Sequence, residues 1–214
     1  MTASRVEAEL KYTALSERPL EDLERAEVLG LARLGAARTV AEVDRYVDTV
    51  DLRLASVRWA CRLRSREGRT IVSLKGPAEH EAGDPLHRRP EVEGPATADI
   101  DPAEWPPSPA RDGLLAMTGG AALEERFSLE QERTERAVSF DGARIGGLSL
   151  DRVRVIHRGN EAGRMFVVEL ELDPSALTQG VDHAPLAQAL SAIDGLVPDP
   201  LTKLERALAM LPRD

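Results

Sequence analysis

The chain has little of what several common sites require. It carries one cysteine, Cys61, in 214 residues. No intramolecular disulfide can form, and no cysteine–histidine cluster exists for zinc. It contains no glycine-rich phosphate loop and no nucleophile-elbow serine motif. No run approaches the roughly 18 apolar residues of a membrane span. Met1–Arg5 lacks the apolar stretch of a secretion signal. These absences lead us to expect a cytoplasmic protein with no membrane partner. Aromatic residues make up only 3 % of the chain. A platform for stacking an organic ring is therefore not evident, which favours a substrate without one. The formal net charge is −9, a field that attracts neither nucleic acid nor anionic lipid. An anionic ligand would have to be drawn in by a local basic cluster, a metal, or both.

What is present is alternation. Hydrophobic residues are 42 % and charged residues 30 %, the balance of a globular protein long enough to bury a sizeable core. Near the start stand Glu7, Ala8, Glu9, Leu10 and Lys11. Successive side chains of a strand point to opposite faces, so Glu7, Glu9 and Lys11 share one face and Ala8 and Leu10 the other. Taken alone, such a strand reads as half-solvated.

The pattern recurs along the chain. Strands are predicted at Val6–Tyr12, Tyr46–Asp51, Arg53–Ser65, Thr70–Lys75, His87–Gly94, Ala121–Phe140, Gly147–Ile156 and Met165–Leu172. Arg66–Arg69 and the Gly159, Asn160, Gly163 segment read as turns. Asp141-Gly142 is a turn signal without a clean hairpin after it. A helix opening at Pro19 is predicted to run through Leu20, Leu23, Leu31 and Leu34 to Gly35. Others are expected around Arg111–Met117 within the Pro- and Gly-rich residues 95–120, at His183–Ile193, and at the C-terminus. In the last of these, Leu201, Leu204, Leu208 and Leu211 would line one face before Pro212. No linker divides the sequence, so a single domain over residues 1–214 is expected.

Closing eight antiparallel strands into a barrel removes exposed edges. The amphipathic helices need an apolar surface to cover, and outward-facing apolar strand faces supply it. The charged faces would then line the interior; the alternative is an outward-charged barrel with an apolar interior and no phosphate site. Glu7, Glu9, Glu91, Glu93, Asp151, Glu169 and Glu171 would be the interior acids. Lys11, Arg62, Arg64, Lys75 and Arg133 are the bases, with Lys203 at the mouth. Such near balance makes burial tolerable. It suits divalent cations on the acids and a polyphosphate on the arginine forks and lysines. The same parity turns Arg58 and Ala60 inward and Trp59 outward, beneath a helix. Tyr12, Tyr46, Phe127, Phe140 and Phe166 read as core or rim, Trp105 as packing, Cys61 as a buried inert thiol, and His80, His87, His157 and His183 as surface residues.

These residues, in this order, resemble the CYTH superfamily of triphosphate tunnel metalloenzymes. Glu7-x-Glu9-x-Lys11 looks like its ExExK signature. It is followed by Arg62-x-Arg64, Ser73-Leu74-Lys75-Gly76, Glu91-x-Glu93, Arg133, Asp151, Glu169-x-Glu171 and Lys203, a likeness spanning about residues 5–210. The resemblance implies an α+β fold: an eight-stranded antiparallel tunnel with helices on its outside. It implies Mg²⁺ or Mn²⁺ as cofactor, held by Glu7, Glu9, Glu169 and Glu171, with Glu91, Glu93 and Asp151 for a second ion or for water. Lys11, Arg62, Arg64, Lys75, Arg133 and Lys203 would hold phosphates, Arg136 being the alternative to Arg133. Glu9, Lys75 and Glu171 are the implied catalytic groups, and Arg206 orders the last helix. The expected reaction is hydrolysis of inorganic tripolyphosphate to pyrophosphate and phosphate by a monomer or homodimer. Thiamine triphosphatase, class IV adenylyl cyclase and a non-catalytic polyphosphate- or nucleotide-binding module are the alternatives.

Overall fold

Charged–apolar alternation builds the frame of the protein, a computed structural model of which describes residues 5–79 and 86–212. The chain begins with β1 (Arg5–Ala14), α1 (Arg18–Arg25), β2 (Val28–Leu29), β3 (Ala32–Leu34), β4 (Arg38–Thr49) and α2 (Arg53–Ser56). It continues through β5 (Ala60–Arg66), β6 (Arg69–Lys75), β7 (Leu86–Ala96), a 3₁₀ turn (Pro102–Glu104), α3 (Pro109–Thr118) and β8 (Leu123–Phe140). It ends with β9 (Ala143–His157), β10 (Asn160–Leu172), α4 (Pro174–Thr178), α5 (Ala184–Ser191), β11 (Leu196–Pro198) and α6 (Lys203–Met210).

Eight strands form a ring in the order β8-β4-β5-β6-β7-β1-β10-β9, and β9 pairs back onto β8. All neighbours are antiparallel, so the expected closed barrel is present. The β2–β3 pair extends from the far end of β8, and β11 lies beside the end of β1. Two-residue turns close three of the hairpins, with Glu67-Gly68, Asp141-Gly142 and Arg158-Gly159 all at positive φ. Asp141-Gly142 thus makes the clean hairpin that its flanking sequence obscured, and β10 starts at Asn160, earlier than expected.

The apolar strand faces point outward under helices, as the sequence predicts. Ala8, Leu10, Leu150, Val168 and Leu170 pack with Leu20 and Leu23 of α1 and Leu186 and Leu190 of α5. Cys61, Leu63, Val72 and Leu74 pack with Ala110 and Leu114 of α3 and with Trp105. Each such leucine contributes roughly 1.5–3 kcal/mol by burial. One part of the interior departs from the expectation of a charged lining. Tyr46, Phe127, Leu129, Val153, Val155, Met165 and Val167 form an apolar section beneath Ala207 of α6. There the Tyr46 and Phe127 rings stack at 4.9 Å.

Three predicted elements differ. The first helix stops at Arg25, because Val28–Leu34 buries by the alternation of a hairpin, with Leu29, Ala32 and Leu34 in and Leu31 78 % exposed. Arg53–Ser56 is a helical turn and not strand. The Asp48 carboxylate accepts the N–H groups of Thr49, Leu54 and Ala55 at 2.7, 3.0 and 3.0 Å and caps it. Of the four leucines predicted to line one face of the last helix, Leu204 and Leu211 pack beside the buried Ala207, while Leu201 and Leu208 are exposed and Lys203 is buried.

Arg136 points away from the interior. Its guanidinium donates to the carbonyls of Leu23, Glu24, Ala26, Leu34 and Gly35 and so ties α1 to the β2–β3 pair. Arg136→Met should leave these acceptors unmatched and lower unfolding free energy by about 2–3 kcal/mol in urea titrations. A loss within experimental error would show that this staple is dispensable.

Candidate functional site

Inside the ring, strand parity brings the predicted charged residues together in three linked ion-pair clusters. In the first, β5 presents Arg62 and Arg64 to Asp44 of β4. Arg64 binds that carboxylate through Nε and Nη2, both at 2.7 Å, and Arg62 Nη1 lies at 3.5 Å. Gln131 Nε2 donates to the same carboxylate at 2.9 Å. Arg62 also donates to Ser73 Oγ, which donates in turn to Glu93 at 2.8 Å. Burial opposes the charge on Asp44, which is fully enclosed. Arg62 and Arg64 outweigh that cost and hold its carboxyl well below the usual range.

The second cluster joins β1, β6 and β7. Lys75 Nζ donates to both Glu7 oxygens at 2.8 and 2.9 Å and lies 2.7 Å from Glu91. Arg89 bridges Glu7 and Glu9, and Lys11 sits 2.9 Å from Glu9. Burial and the neighbouring Arg62 and Arg89 push the Lys75 amine below its ordinary value, against the pull of Glu7 and Glu91. Despite burial, Lys75 and Arg89 keep the Glu7 carboxyl well below its own.

The third cluster joins β8, β9, β10 and α6. Arg133 grips Asp151 at 2.7 and 2.8 Å and reaches Glu42 at 3.0 Å and Glu169 at 3.4 Å. Lys203 Nζ contacts Asp151 and lies 2.8 Å from Glu169. Burial disfavours both cationic forms, but Asp151 and its neighbours outweigh it and raise the Arg133 and Lys203 values.

A cavity of about 450 Å³ runs through these clusters, lined among others by Glu7, Glu9, Arg62, Arg64, Lys75, Arg89, Glu91, Glu93, Arg133, Glu169, Glu171 and Lys203. Arg64, Arg133, Ser149 and Glu171 also line a second cavity. It opens past Arg38, Glu135, Arg144 and Asp173 at the other end of the barrel. Lys11 and Asp151 are buried on the inward faces of β1 and β9, against Glu9 and Arg133, but do not line this cavity. Glu93 is at the exposed rim.

The carboxylates pair with cations and not with each other. Among the described residues, no three His, Cys, Asp or Glu side chains are gathered as a metal ion would require. Carboxylates at i, i+2 on one strand are held apart by the pleat, and cross-strand neighbours approach more closely. Glu9 and Glu171 are direct partners across β1 and β10, and both line the cavity. Their hard oxygen donors suit a divalent cation such as Mg²⁺.

Sequence reasoning missed Glu42, Asp44 and Arg89, while Gln131 lies where its i, i+2 spacing to Arg133 puts it, on the inward face of β8. Arg89 shares the parity of Glu91 and Glu93, which was enough to find it. It settled Arg133 against Arg136 only as a preference, and the structure places Arg133 inside. His87, expected at the surface, is buried opposite Glu9 because it shares the inward parity of β7. His157 and His183 are half-buried, and His80 lies outside the described residues. Cys61 matches its expectation, with burial pushing the thiol up to about 12. Trp59 packs partly against the cluster beneath α3, as predicted, but it also forms part of the cavity mouth beside the exposed Arg58.

The fold is shared with solved structures. The putative adenylyl cyclase HpAC1 from Hippeastrum, for which a dominant triphosphatase activity is stated, is 17 % identical with a TM-score of 0.62 over 95 % of each chain. A putative adenylate cyclase from Bacillus halodurans is 21 % identical, with a TM-score of 0.58 over 94 % of this chain and 97 % of that one. The PH1819 protein from Pyrococcus horikoshii is 16 % identical, with a TM-score of 0.53 over 94 % and 98 %. At these identities the likeness shows the fold alone. A search of curated proteins by sequence gave no match. The CYTH domain family matches residues 5–183, all eight strands of the barrel and the charged lining they carry, and the chain belongs to that family.

Proposed function

We propose that this protein is a divalent-metal-dependent hydrolase of triphosphates, with inorganic tripolyphosphate as substrate and pyrophosphate and phosphate as products. The observation that carries this reading is the composition of one cavity wall: arginine forks and lysines interleaved with carboxylates, most of them joined in ion pairs. A bare polyanion entering this network would take the cations and strand the carboxylates. A metal ion alone would do the reverse. A metal-complexed triphosphate satisfies both sets at once, which argues against a module that binds polyanion without metal.

Arg62, Arg64, Lys75, Arg89, Arg133 and Lys203 hold phosphoryl oxygens and stabilise charge on the transferred and leaving groups. Lys11 acts by orienting Glu9, and Asp151 orients Arg133 and Lys203. Glu9 and Glu171 are the first candidates to hold Mg²⁺ or Mn²⁺, with Glu7, Glu169, Glu91 and Glu93 around them. The bound ion would screen phosphoryl charge and lower the pKa of the attacking water. HpAC1's stated triphosphatase activity on the same fold supports the reaction class.

A second reading has one observation in its favour. Trp59 stands at the cavity mouth with Pro77, Pro200 and Leu204, an apolar rim that an organic ring could contact and an inorganic chain would not use. One experiment tests both. The protein is incubated with tripolyphosphate, thiamine triphosphate or ATP, with Mg²⁺ or Mn²⁺, and phosphate, pyrophosphate and cyclic AMP are followed. The main reading expects tripolyphosphate cleavage that disappears in Glu9→Ala. Faster turnover of an organic triphosphate, selectively lost in Trp59→Leu, would favour the second. Tight binding without turnover would overturn both.

A further inference from the structure

The chain contains only three lysines, Lys11, Lys75 and Lys203, and all three are buried within the barrel. Lys203 differs from the other two because α6, not a barrel strand, carries it. Its placement therefore depends on how α6 docks. The helix's apolar anchoring comes from the buried Ala207 and the half-buried Leu204, Met210 and Leu211, while Leu208 is exposed.

A polar fastening lies beside it. Asp199 is 4 % exposed. Its carboxylate accepts from Thr13 Oγ1 at 2.6 Å, from Arg206 Nε and Nη2 at 2.5 and 2.7 Å, and from the Leu201 N–H at 3.0 Å. Its own N–H donates to the Lys11 carbonyl at 2.9 Å. Asp199 thus ties β1 to α6 one turn beyond Lys203, while the Thr202–Glu205 capping box fixes the first turn of the helix. An exposed ion pair is worth little, but this carboxylate is enclosed and receives hydrogen bonds from β1, from α6 and from the loop before α6. Neither Asp199 nor Arg206 lines the cavity.

We propose that Asp199 and Arg206 are positioning residues: their ion pair sets the docking of α6 and so holds Lys203 Nζ against Asp151 and Glu169, where it can grip a phosphate. The kinetic consequence rests on the triphosphatase reading, and the placement of Lys203 does not. The test compares Asp199→Asn, Arg206→Met and Arg206→Lys in the full chain. Limited acetylation by acetic anhydride, followed by mass spectrometry of each lysine, reads placement directly, with Lys11 and Lys75 as internal controls. Lys203 labelling should rise several-fold in Asp199→Asn and Arg206→Met with Lys11 and Lys75 unchanged, and Arg206→Lys should restore part of the protection. KM for tripolyphosphate should rise about five- to tenfold with kcat much less affected, as expected when about 1–1.5 kcal/mol of uniform binding is lost. Unchanged Lys203 labelling, or a parallel rise at all three lysines, would overturn the proposal. If Asp199→Asn fails to fold, the two Arg206 variants decide it. If the wild-type protein does not cleave tripolyphosphate, the functional reading fails while the labelling result still stands.

Discussion

Replacing Lys75 with methionine should lower kcat/KM for tripolyphosphate by about 10²–10³-fold, the cost of removing one preorganised donor from a charged transition state. Methionine keeps the length and apolar stem of the side chain and removes only the amine. In the native site that amine is fixed between Glu7 and Glu91 and lies on the cavity wall. It needs little reorganisation to turn toward a phosphoryl oxygen, which is why its loss should exceed that of a mobile surface cation. Lys75→Arg should not restore full activity. A planar fork needs more room than a compact ammonium, and the charges of Arg62 and Arg89 already oppose a cation at this position. Steady-state phosphate release measures the effect. A change of less than about fivefold in Lys75→Met would remove Lys75 from the proposed machinery.

How much of this was legible in the sequence depended on whether a residue followed a rule or inverted one. Glu7, Glu9 and Lys11 alternate with Ala8 and Leu10, so parity alone placed them together, and the recurrence of that parity closed the barrel. Glu42 and Asp44 were not found. In β4 the carboxylate of Asp44 is fully buried while Val43 is 37 % exposed, the reverse of the usual partition. Only a barrel already known to be charged inside makes that arrangement readable. The helical turn at Arg53–Ser56 depends on the Asp48 carboxylate reaching its N–H groups, an interaction that local propensity does not encode. In α6 two of the four leucines at helical spacing, Leu204 and Leu211, pack as the spacing predicts, while Leu201 and Leu208 are exposed and Lys203 meets Asp151 and Glu169 inside the barrel. At Asp44 and at Arg53–Ser56 a polar contact outside the simple periodic pattern decided the outcome.

Asp44 is also where the largest loss of stability is expected. Asp44→Asn keeps the shape of the side chain and removes the charge that Arg62 and Arg64 share. Breaking a buried pair by removing one partner costs about 3–5 kcal/mol, because the remaining cations stay desolvated without compensation. Urea titration at neutral pH should show that loss. The pH dependence follows from the depressed folded-state value of the Asp44 carboxyl, whose ordinary value is 3.8. A carboxyl more acidic in the folded state stabilises the fold at pH values above its unfolded value, and that contribution fades as pH falls below it. The gap between wild type and Asp44→Asn should therefore be full at pH 7 and narrow progressively below about pH 4. A gap that stays constant to pH 3 would show that shape or hydrogen bonding at Asp44 matters, not charge. The same variant bears on ligand binding. With Asp44 neutral, Arg62 and Arg64 have more to gain from an anion in the cavity. Tripolyphosphate should then raise the melting temperature of Asp44→Asn by more than it raises that of the wild-type protein, since a ligand stabilises according to its affinity for the folded state. Equal shifts would mean that these two arginines do not meet the polyanion.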